Sequence, residues 1–222
     1  MGAAAGRGRV GRARIGGLYF LADDDPRWCR DPVSQAEAAL AGGARMVQLR
    51  AKRATDAQAL GWAEAIRDLC RNRGALFFLN DRFDLALAAG ADGVHLGQDD
   101  LAPARIPVEA RARLLIGRST HTLEEARAAC TEPVDYVAFG PVFGTTSKDS
   151  PHSARGLAAL AEAVRLVAPL PLVAIGGIDA VRASEVLGAG AAAVCAISAV
   201  VGAQDMEAAA RELVRAIEGA RA

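Results

Sequence analysis

Short apolar runs alternate along the chain with stretches in which apolar residues recur three or four positions apart. The runs predict strands at 17–22, 45–50, 75–80, 92–96, 113–117, 134–139, 171–175 and 193–197. Between them Trp62, Ile66 and Leu69, and then Leu157, Leu160, Val164 and Val167, fall on single helical faces. Thr55 with Gln58, and Thr122 with Glu125, have the spacing of a capping box, in which side chain and backbone at a helix start satisfy each other. Asp31 before Pro32 and Asp179 after Gly176-Gly177 predict two further starts. Gly74 and Gly90 sit where helices should stop. Eight strands, each followed by a helix or helical turn, predict one closed (β/α)8 barrel. A doubly wound open sheet is the rival, but eight regular units leave no obvious edge strand and no second domain.

Polar residues are expected to collect just after each strand, because a barrel of this kind does its chemistry at the C-terminal strand ends. They do: Gln48, Arg50 and Lys52; Asn80 and Asp81; Gln98 and Asp100; Ser119 and His121; Thr145, Thr146, Ser147 and Lys148; Gly176 and Gly177; and Ser198. Asp81 and Asp100 end consecutive strand units and can meet in space. An Asp after a strand also caps helices, but two hard oxygen donors held together suit Mg²⁺, which usually brings a phosphate or diphosphate. In Gln48-Leu49-Arg50-Ala51-Lys52 the three polar side chains share one face of an extended chain. A planar guanidinium fork and an ammonium there suit a diphosphate. The segment 140–148 is rich in small and hydroxyl residues and ends on Lys148, a composition that offers backbone N–H groups to phosphate. The loops after the seventh and eighth strands, with Gly176-Gly177 and Ile197-Ser198, are the common phosphate site of such barrels. Two phosphorylated molecules, one a diphosphate, are therefore the expected small-molecule substrates, joined with expulsion of pyrophosphate.

Composition narrows the rest. The 222 residues are 52% hydrophobic, with 26 Lys and Arg against 26 Asp and Glu. That suits one soluble domain and gives no electrostatic footprint for nucleic acid. Cys29, Cys70, Cys130 and Cys195 are scattered, without metal or disulfide spacing, and read as mostly buried, inert thiols in a reducing cytoplasm. Residues 1–14 carry Arg7, Arg9, Arg12 and Arg14 among Gly and Ala and are expected to be a disordered extension, with the barrel over 15–222. No long apolar core follows before Asp23, so no secretory signal is expected. The uncharged stretch from Val186 to Gln204 approaches the length of a membrane span, but Gly188 and Gly190 read as a helix-to-strand turn, and no membrane association is expected.

The segments VQLRAK, FLNDRFDLALAAGADGVHLGQDD, IGRSTHTLEEA, DYVAFGPVFGTTSK and AIGGI with AISA, in this order, resemble the thiamine phosphate synthase family from about Gly17 to the last helix. That family joins a hydroxymethylpyrimidine diphosphate to a thiazole phosphate, giving thiamine phosphate and pyrophosphate. The resemblance implies that Gln48, Arg50, Lys52 and Asn80 hold the pyrimidine diphosphate, with Lys148 on its phosphates. It implies Asp81 and Asp100 as Mg²⁺ ligands and Ser119 on the pyrimidine or its leaving group. It assigns Thr145, Thr146, Ser147, Gly177, Ile197 and Ser198 to the thiazole phosphate. Arg50, Lys52, Ser119 and Lys148 would carry the catalytic burden, in a mechanism in which pyrophosphate leaves before the thiazole nitrogen attacks.

Two segments depart from the family pattern. The first strand ends in Asp23-Asp24-Asp25, where the family commonly has Thr-Asp, and Ser147 stands near a usual Pro and second Thr. A thiazole tautomerase relative would use His121 as acid or base but leaves the Asp pair unexplained. A non-catalytic thiamine-precursor sensor could dispense with Mg²⁺ ligands. His95 is expected to pack or hydrogen-bond near the barrel mouth, and His152 to be solvated. A homo-oligomer is compatible with the sequence, which fixes no oligomeric state.

Overall fold

The structure is a computed structural model that describes residues 14–145 and 152–221. Eight parallel strands neighbour one another in chain order: β1 (Gly17–Asp23), β2 (Met46–Arg50), β3 (Leu76–Asn80), β4 (Gly93–Leu96), β5 (Leu115–Thr120), β6 (Tyr136–Phe139), β7 (Leu172–Ile175) and β8 (Ala193–Ala196). β8 pairs back onto β1, from Gly17↔Ala193 to Phe20↔Ala196. That ladder closes the (β/α)8 barrel and excludes the open sheet. Around it run helices α1 (Pro32–Ala41), α2 (Asp56–Arg73), α3 (Phe83–Ala89), α4 (Val108–Arg111), α5 (Leu123–Ala129), α6 (Gly156–Val167), α7 (Ala180–Gly188), α8 (Ser198–Val201) and α9 (Met206–Gly219). No described helix is long and apolar enough to cross a membrane. Residues 1–13 of the expected extension lie outside the described residues. Arg14 donates to the Gly74 carbonyl at 2.7 Å.

The helix ends follow local chemistry. Gln58 N–H donates to Thr55 Oγ1 at 3.3 Å, and Thr55 N–H to Gln58 Oε1 at 3.1 Å, so the first capping box is complete. At α5 the box is shifted. Thr122 Oγ1 accepts from Glu125 N–H at 3.1 Å, but the Glu125 carboxylate accepts from His121 N–H at 2.6 Å, one residue early. Asp31 and Asp179 cap α1 and α7 as expected. Gly74 and Gly90 close α2 and α3 in the left-handed conformation.

β5 is the element that differs from expectation. It begins at Leu115 rather than 113 and runs to Thr120 rather than 117. Ser119 and Thr120 look like a strand end by composition, yet they pair with Ala138 and Phe139. Thr120 Oγ1 donates to the Ala138 carbonyl at 2.9 Å, and Ser119 Oγ lies 2.8 Å from His95 Nε2. Ser119 is therefore inside a strand rather than after one.

The strands are buried on both faces, which is why they read as continuous apolar runs. The inner face carries a cluster of three rings. Tyr19, Phe78 and Tyr136 lie 5.5–6.2 Å apart, centroid to centroid, in tilted and edge-on arrangements. Large side chains here require small ones opposite. A Cβ built on Gly117 of β5 would lie 2.1 Å from Tyr136 Cζ, and one on Gly93 of β4 would lie 2.5 Å from Phe78 Cε1. Cys70 and Cys195 are buried, but Cys29 and Cys130 are exposed, so the thiols divide evenly. Burial pushes the Cys70 thiol up to about 12, with help from the Asp92 charge.

Because Tyr136 fills the space that a Cβ at position 117 needs, Gly117→Ala is expected to destabilise the fold by about 1–3 kcal/mol through overpacking. Urea denaturation should show a lower midpoint with an unchanged slope. An unchanged midpoint would mean that the Tyr136 ring can move aside at no cost.

Candidate functional site

At the rim where β1 and β2 end, Asp23 is almost wholly buried. Its carboxylate meets the Arg50 guanidinium at 2.7 Å and accepts from Asp25 N–H at 2.8 Å. Gln35 of α1 clamps the Asp23 backbone from both sides, at 3.0 and 2.9 Å. Asp24 accepts three N–H groups from the loop after β2: Lys52 at 3.0 Å, Arg53 at 2.8 Å and Ala54 at 2.8 Å. Asp25 caps the short 3-10 turn Pro26–Trp28. The acidic run thus has one role per residue: aiming Arg50, shaping the loop that presents Lys52, and ending β1.

Asp81 and Asp100 meet, as their spacing after consecutive strands suggested. Asp81 has φ 64°, a left-handed conformation that Asp tolerates better than most residues. The turn is held by Asp81 N–H on the His95 carbonyl at 2.8 Å and Arg82 N–H on the Asn80 carbonyl at 2.7 Å. The Asp81 carboxyl is in hydrogen-bond contact with Asp100 and ion-paired with the Lys52 ammonium. Asp100 also accepts from Gly97 N–H at 2.6 Å. Burial foremost, and then the Asp100 contact, raises the Asp81 pKa, with Lys52 opposing. Burial works the same way on Asp100. The Asp81 and Gly97 hydrogen bonds and the charges of Lys52 and Arg118 outweigh it and hold that carboxyl below the usual range. Of the two carboxyls, Asp81 therefore takes up a proton more readily than Asp100 as pH falls. Arg118, a buried cation of β5, donates to the Gly97 carbonyl and pairs with Glu132 at 3.2 Å, tying down the loop that carries Asp100.

Below the rim a line of buried polar groups crosses the barrel. Gln48 Nε2 donates to Tyr19 Oη at 2.7 Å. Tyr19 and Tyr136 hydroxyls are 3.0 Å apart, Tyr136 Oη is 2.9 Å from His95 Nδ1, and His95 Nε2 is 2.8 Å from Ser119 Oγ. Gln98 Nε2 donates to the Ser119 carbonyl at 2.6 Å. Gln48 Oε1 is buried without a hydrogen-bond partner. Tyr19, Gln48, His95 and Ser119 line one small cavity together with Ile175 and Cys195.

On the opposite side of the mouth, a small cavity of about 40 Å³ is lined by Thr145, Gly176, Gly177, Ile197 and Ser198, among others, and shares Ile175 and Cys195 with the first. Its wall forms because the loop after β6 lies against the end of β7. Val142 N–H donates to the Ile175 carbonyl at 2.8 Å and Phe143 N–H to the Gly176 carbonyl at 3.0 Å. A Cβ on Gly177 would lie 2.4 Å from the Gly144 carbonyl oxygen, and its φ is 63°, so no other residue fits there without moving this loop. Ser198 opens the short helix α8. Thr146, Ser147 and Lys148 lie outside the described residues.

The structure therefore brings Gln48, Arg50, Lys52, Asn80, Asp81, Asp100 and Ser119 to one side of the mouth and Thr145, Gly177, Ile197 and Ser198 to the other. His121 is turned onto Glu125, 3.1 Å away, and stacks on His152 with centroids 4.0 Å apart. Burial foremost, then His152, lowers its pKa against the pull of Glu125. His152 is half-buried rather than solvated, because that stacking covers it. Sequence reasoning missed Asp23, Asp24, Tyr19, Tyr136 and Arg118. The signal available was polar residues at even spacing inside otherwise apolar strands, as in Tyr19 and Asp23, which share one face of β1.

A family model described as thiamine monophosphate synthase matches residues 18–200. A thiamine-phosphate synthase of Anaeromyxobacter dehalogenans is 50% identical over 211 residues, covering 95% of this chain and 92% of the relative. One from Methanoculleus marisnigri is 46% identical over 205 residues, covering 92% and 97%. Among solved structures, thiamine phosphate pyrophosphorylase from Pyrococcus furiosus superposes with a TM-score of 0.85 at 37% identity, covering 95% of this chain and 99% of that one. The chain belongs to the thiamine monophosphate synthase family and is a transferase.

Proposed function

We propose that this protein condenses 4-amino-2-methyl-5-(diphosphooxymethyl)pyrimidine with 4-methyl-5-(2-phosphooxyethyl)thiazole to give thiamine phosphate and pyrophosphate. The observation that carries the proposal is the juxtaposition at one mouth of two unlike anion sites. One combines the Asp81–Asp100 pair with Lys52 and Arg50. The other is the glycine-walled cavity ending on Ser198. A thiazole tautomerase need not bind a diphosphate, and the matches to thiamine-phosphate synthases cover 95% and 92% of the chain.

Mg²⁺ fits the first site by the chemistry of its donors. Two adjacent carboxylates are hard oxygen ligands, and Mg²⁺ is commonly bound by one or two carboxylates plus substrate phosphates. It would be held by Asp81 and Asp100 and would neutralise charge growing on the diphosphate. Arg50, aimed by Asp23, offers its planar fork to the same phosphates, and Lys52 offers a point charge. Asn80 at the end of β3 and Gln48 below it flank the pyrimidine, and the unpartnered Gln48 Oε1 suits a ring amino group. Lys148 completes the cation set, and Thr145, Thr146, Ser147, Gly177, Ile197 and Ser198 hold the thiazole phosphate.

The family resemblance implies a dissociative order, and a site with several cations and no evident protein nucleophile fits it. The C–O bond to diphosphate breaks first, the electron pair leaving with pyrophosphate, and the thiazole nitrogen then bonds to the methylene cation. Catalysis consists of stabilising the leaving charge and aligning two rings.

Pyrophosphate release is expected only with both substrates and Mg²⁺, thiamine phosphate appearing in equal amount. Product without added metal, after chelation, would remove the metal from the reading. Asp81→Ala is expected to lower kcat/KM by roughly 10²–10³ in a protein with unchanged circular dichroism. Full activity in excess Mg²⁺ would exclude Asp81 from the site.

Lys52→Ala should raise KM for the pyrimidine diphosphate by roughly 10–100-fold, and Ser198→Ala should raise KM for the thiazole phosphate by roughly 2–10-fold. Equal effects on both substrates in either variant would count against the division of the mouth. Because the Asp81 pKa is raised, its carboxylate is lost to protonation at a higher pH than an ordinary aspartate. Mg²⁺ affinity, read by calorimetry, should fall as pH drops through that value. Lys52→Ala removes a charge that lowers the pKa and should move the fall to higher pH. An affinity that stays flat across the acid range would contradict the assignment.

A further inference from the structure

The family resemblance implies Gln48 and Ser119 as separate contacts, one on β2 and one on β5, but buried hydrogen bonds join them across the barrel. One direction along the chain gives each phenol and ring proton in it an acceptor. An amide nitrogen only donates, so Tyr19 Oη accepts from Gln48 Nε2. Either tyrosine hydroxyl can donate across the 3.0 Å between them; giving the Tyr19 proton to Tyr136 leaves neither phenol proton without an acceptor in the chain. Tyr136, having accepted, donates to His95 Nδ1 at 2.9 Å. A lone pair on Nδ1 puts the ring proton on Nε2, where it is given to Ser119 Oγ at 2.8 Å. The Ser119 hydrogen is left to be donated elsewhere.

Resting on the proposed reaction, we infer that Tyr19, Tyr136 and His95 are positioning residues. They hold the Ser119 hydroxyl as a donor to the departing diphosphate, in a direction set by the amide of Gln48. Turning that amide over would reverse every bond. Tyr19 would donate to Gln48, Tyr136 to Tyr19 and His95 Nδ1–H to Tyr136. Ser119 would then spend its proton on His95 and show only lone pairs to an anion. The orientation in the structure leaves Gln48 Oε1 buried and unpartnered. A ligand N–H donated to that oxygen would keep the amide this way round. Recognition of the pyrimidine ring would thereby couple to stabilisation of its leaving group.

Three features support a chain built for direction rather than for filling space. Both tyrosines are fully buried, and burial foremost raises their pKa values, so each keeps its one proton to give. The His95 ring is stacked on Tyr136, with centroids 5.5 Å apart and planes 23° apart, which limits its rotation. Gly117 leaves room for the Tyr136 ring in a position that no larger residue would allow.

The test starts with nitrogen-15 NMR of the full-length wild-type protein, in which shifts and ring couplings tell the two neutral tautomers apart. The His95 signals are assigned by their loss in His95→Gln. His95 should carry its proton on Nε2, and a proton on Nδ1 would overturn the inference. Tyr19→Phe should then lower kcat by about tenfold, leave both KM values within about twofold, and give mixed tautomers at His95. Its penalty should largely vanish in a Ser119→Ala background, as expected for groups acting through one another. Unchanged kcat, or strictly additive losses, would overturn it. The tautomer measurement needs no turnover and decides the direction even where Tyr19→Phe does not fold. Wild-type protein that releases no pyrophosphate would instead sink the proposed reaction, a separate outcome.

Discussion

The closed parallel barrel buries both faces of every strand, and a polar atom on the inner face must find a partner or carry the cost of desolvation. Most of the site follows from this constraint. Tyr19, Gln48, His95, Ser119 and Tyr136 all point into the barrel, where water cannot satisfy them all, so they satisfy one another. The three-ring cluster and the glycines facing it give those groups a rigid seat. The same closure puts all eight strand ends at one rim, so that residues far apart in sequence face a common mouth.

At the rim the logic changes from hydrogen bonding to charge. Three described cations there each have an anion that fixes their position: Asp23 for Arg50, Asp81 for Lys52, Glu132 for Arg118. None of these pairs is a strong source of stability, because the exposed ones are screened and the buried one is offset by desolvation. Their value is in orientation. A guanidinium already held by a carboxylate loses little freedom when phosphate arrives, which is the preorganisation that electrostatic catalysis requires. On the facing wall, backbone N–H groups and small residues replace side-chain cations, and Gly177 lets two loops touch.

The barrel was legible because alternating periodicities of two and three-to-four residues, with caps and glycine stops, repeat eight times. The rim residues were legible because polar side chains follow apolar runs. Ser119 was misjudged as lying past its strand because Arg118-Ser119-Thr120 has the composition of a loop. What keeps it in β5 is pairing with β6, a long-range fact that no local window contains. Asp23 and Asp24 looked like a departure from the family pattern, and their roles were hidden because their partners are 27 to 30 residues away. Tyr19 and Tyr136 lie within apolar runs, where nothing local distinguishes a phenol that packs from one that also passes a hydrogen bond 117 residues along the chain.

Asp24 carries one further consequence. Its carboxylate organises the backbone of Lys52, Arg53 and Ala54 from the neighbouring strand unit. The segment Gln48-Leu49-Arg50-Ala51-Lys52 is thus not a transferable unit. Grafted into another barrel without an acidic residue at the end of the preceding strand, it would bring the right side chains on a loop of the wrong shape. The heritable module is discontinuous, and any engineering or recombination that cuts between the first two strand units separates a cation from the group that shapes its loop.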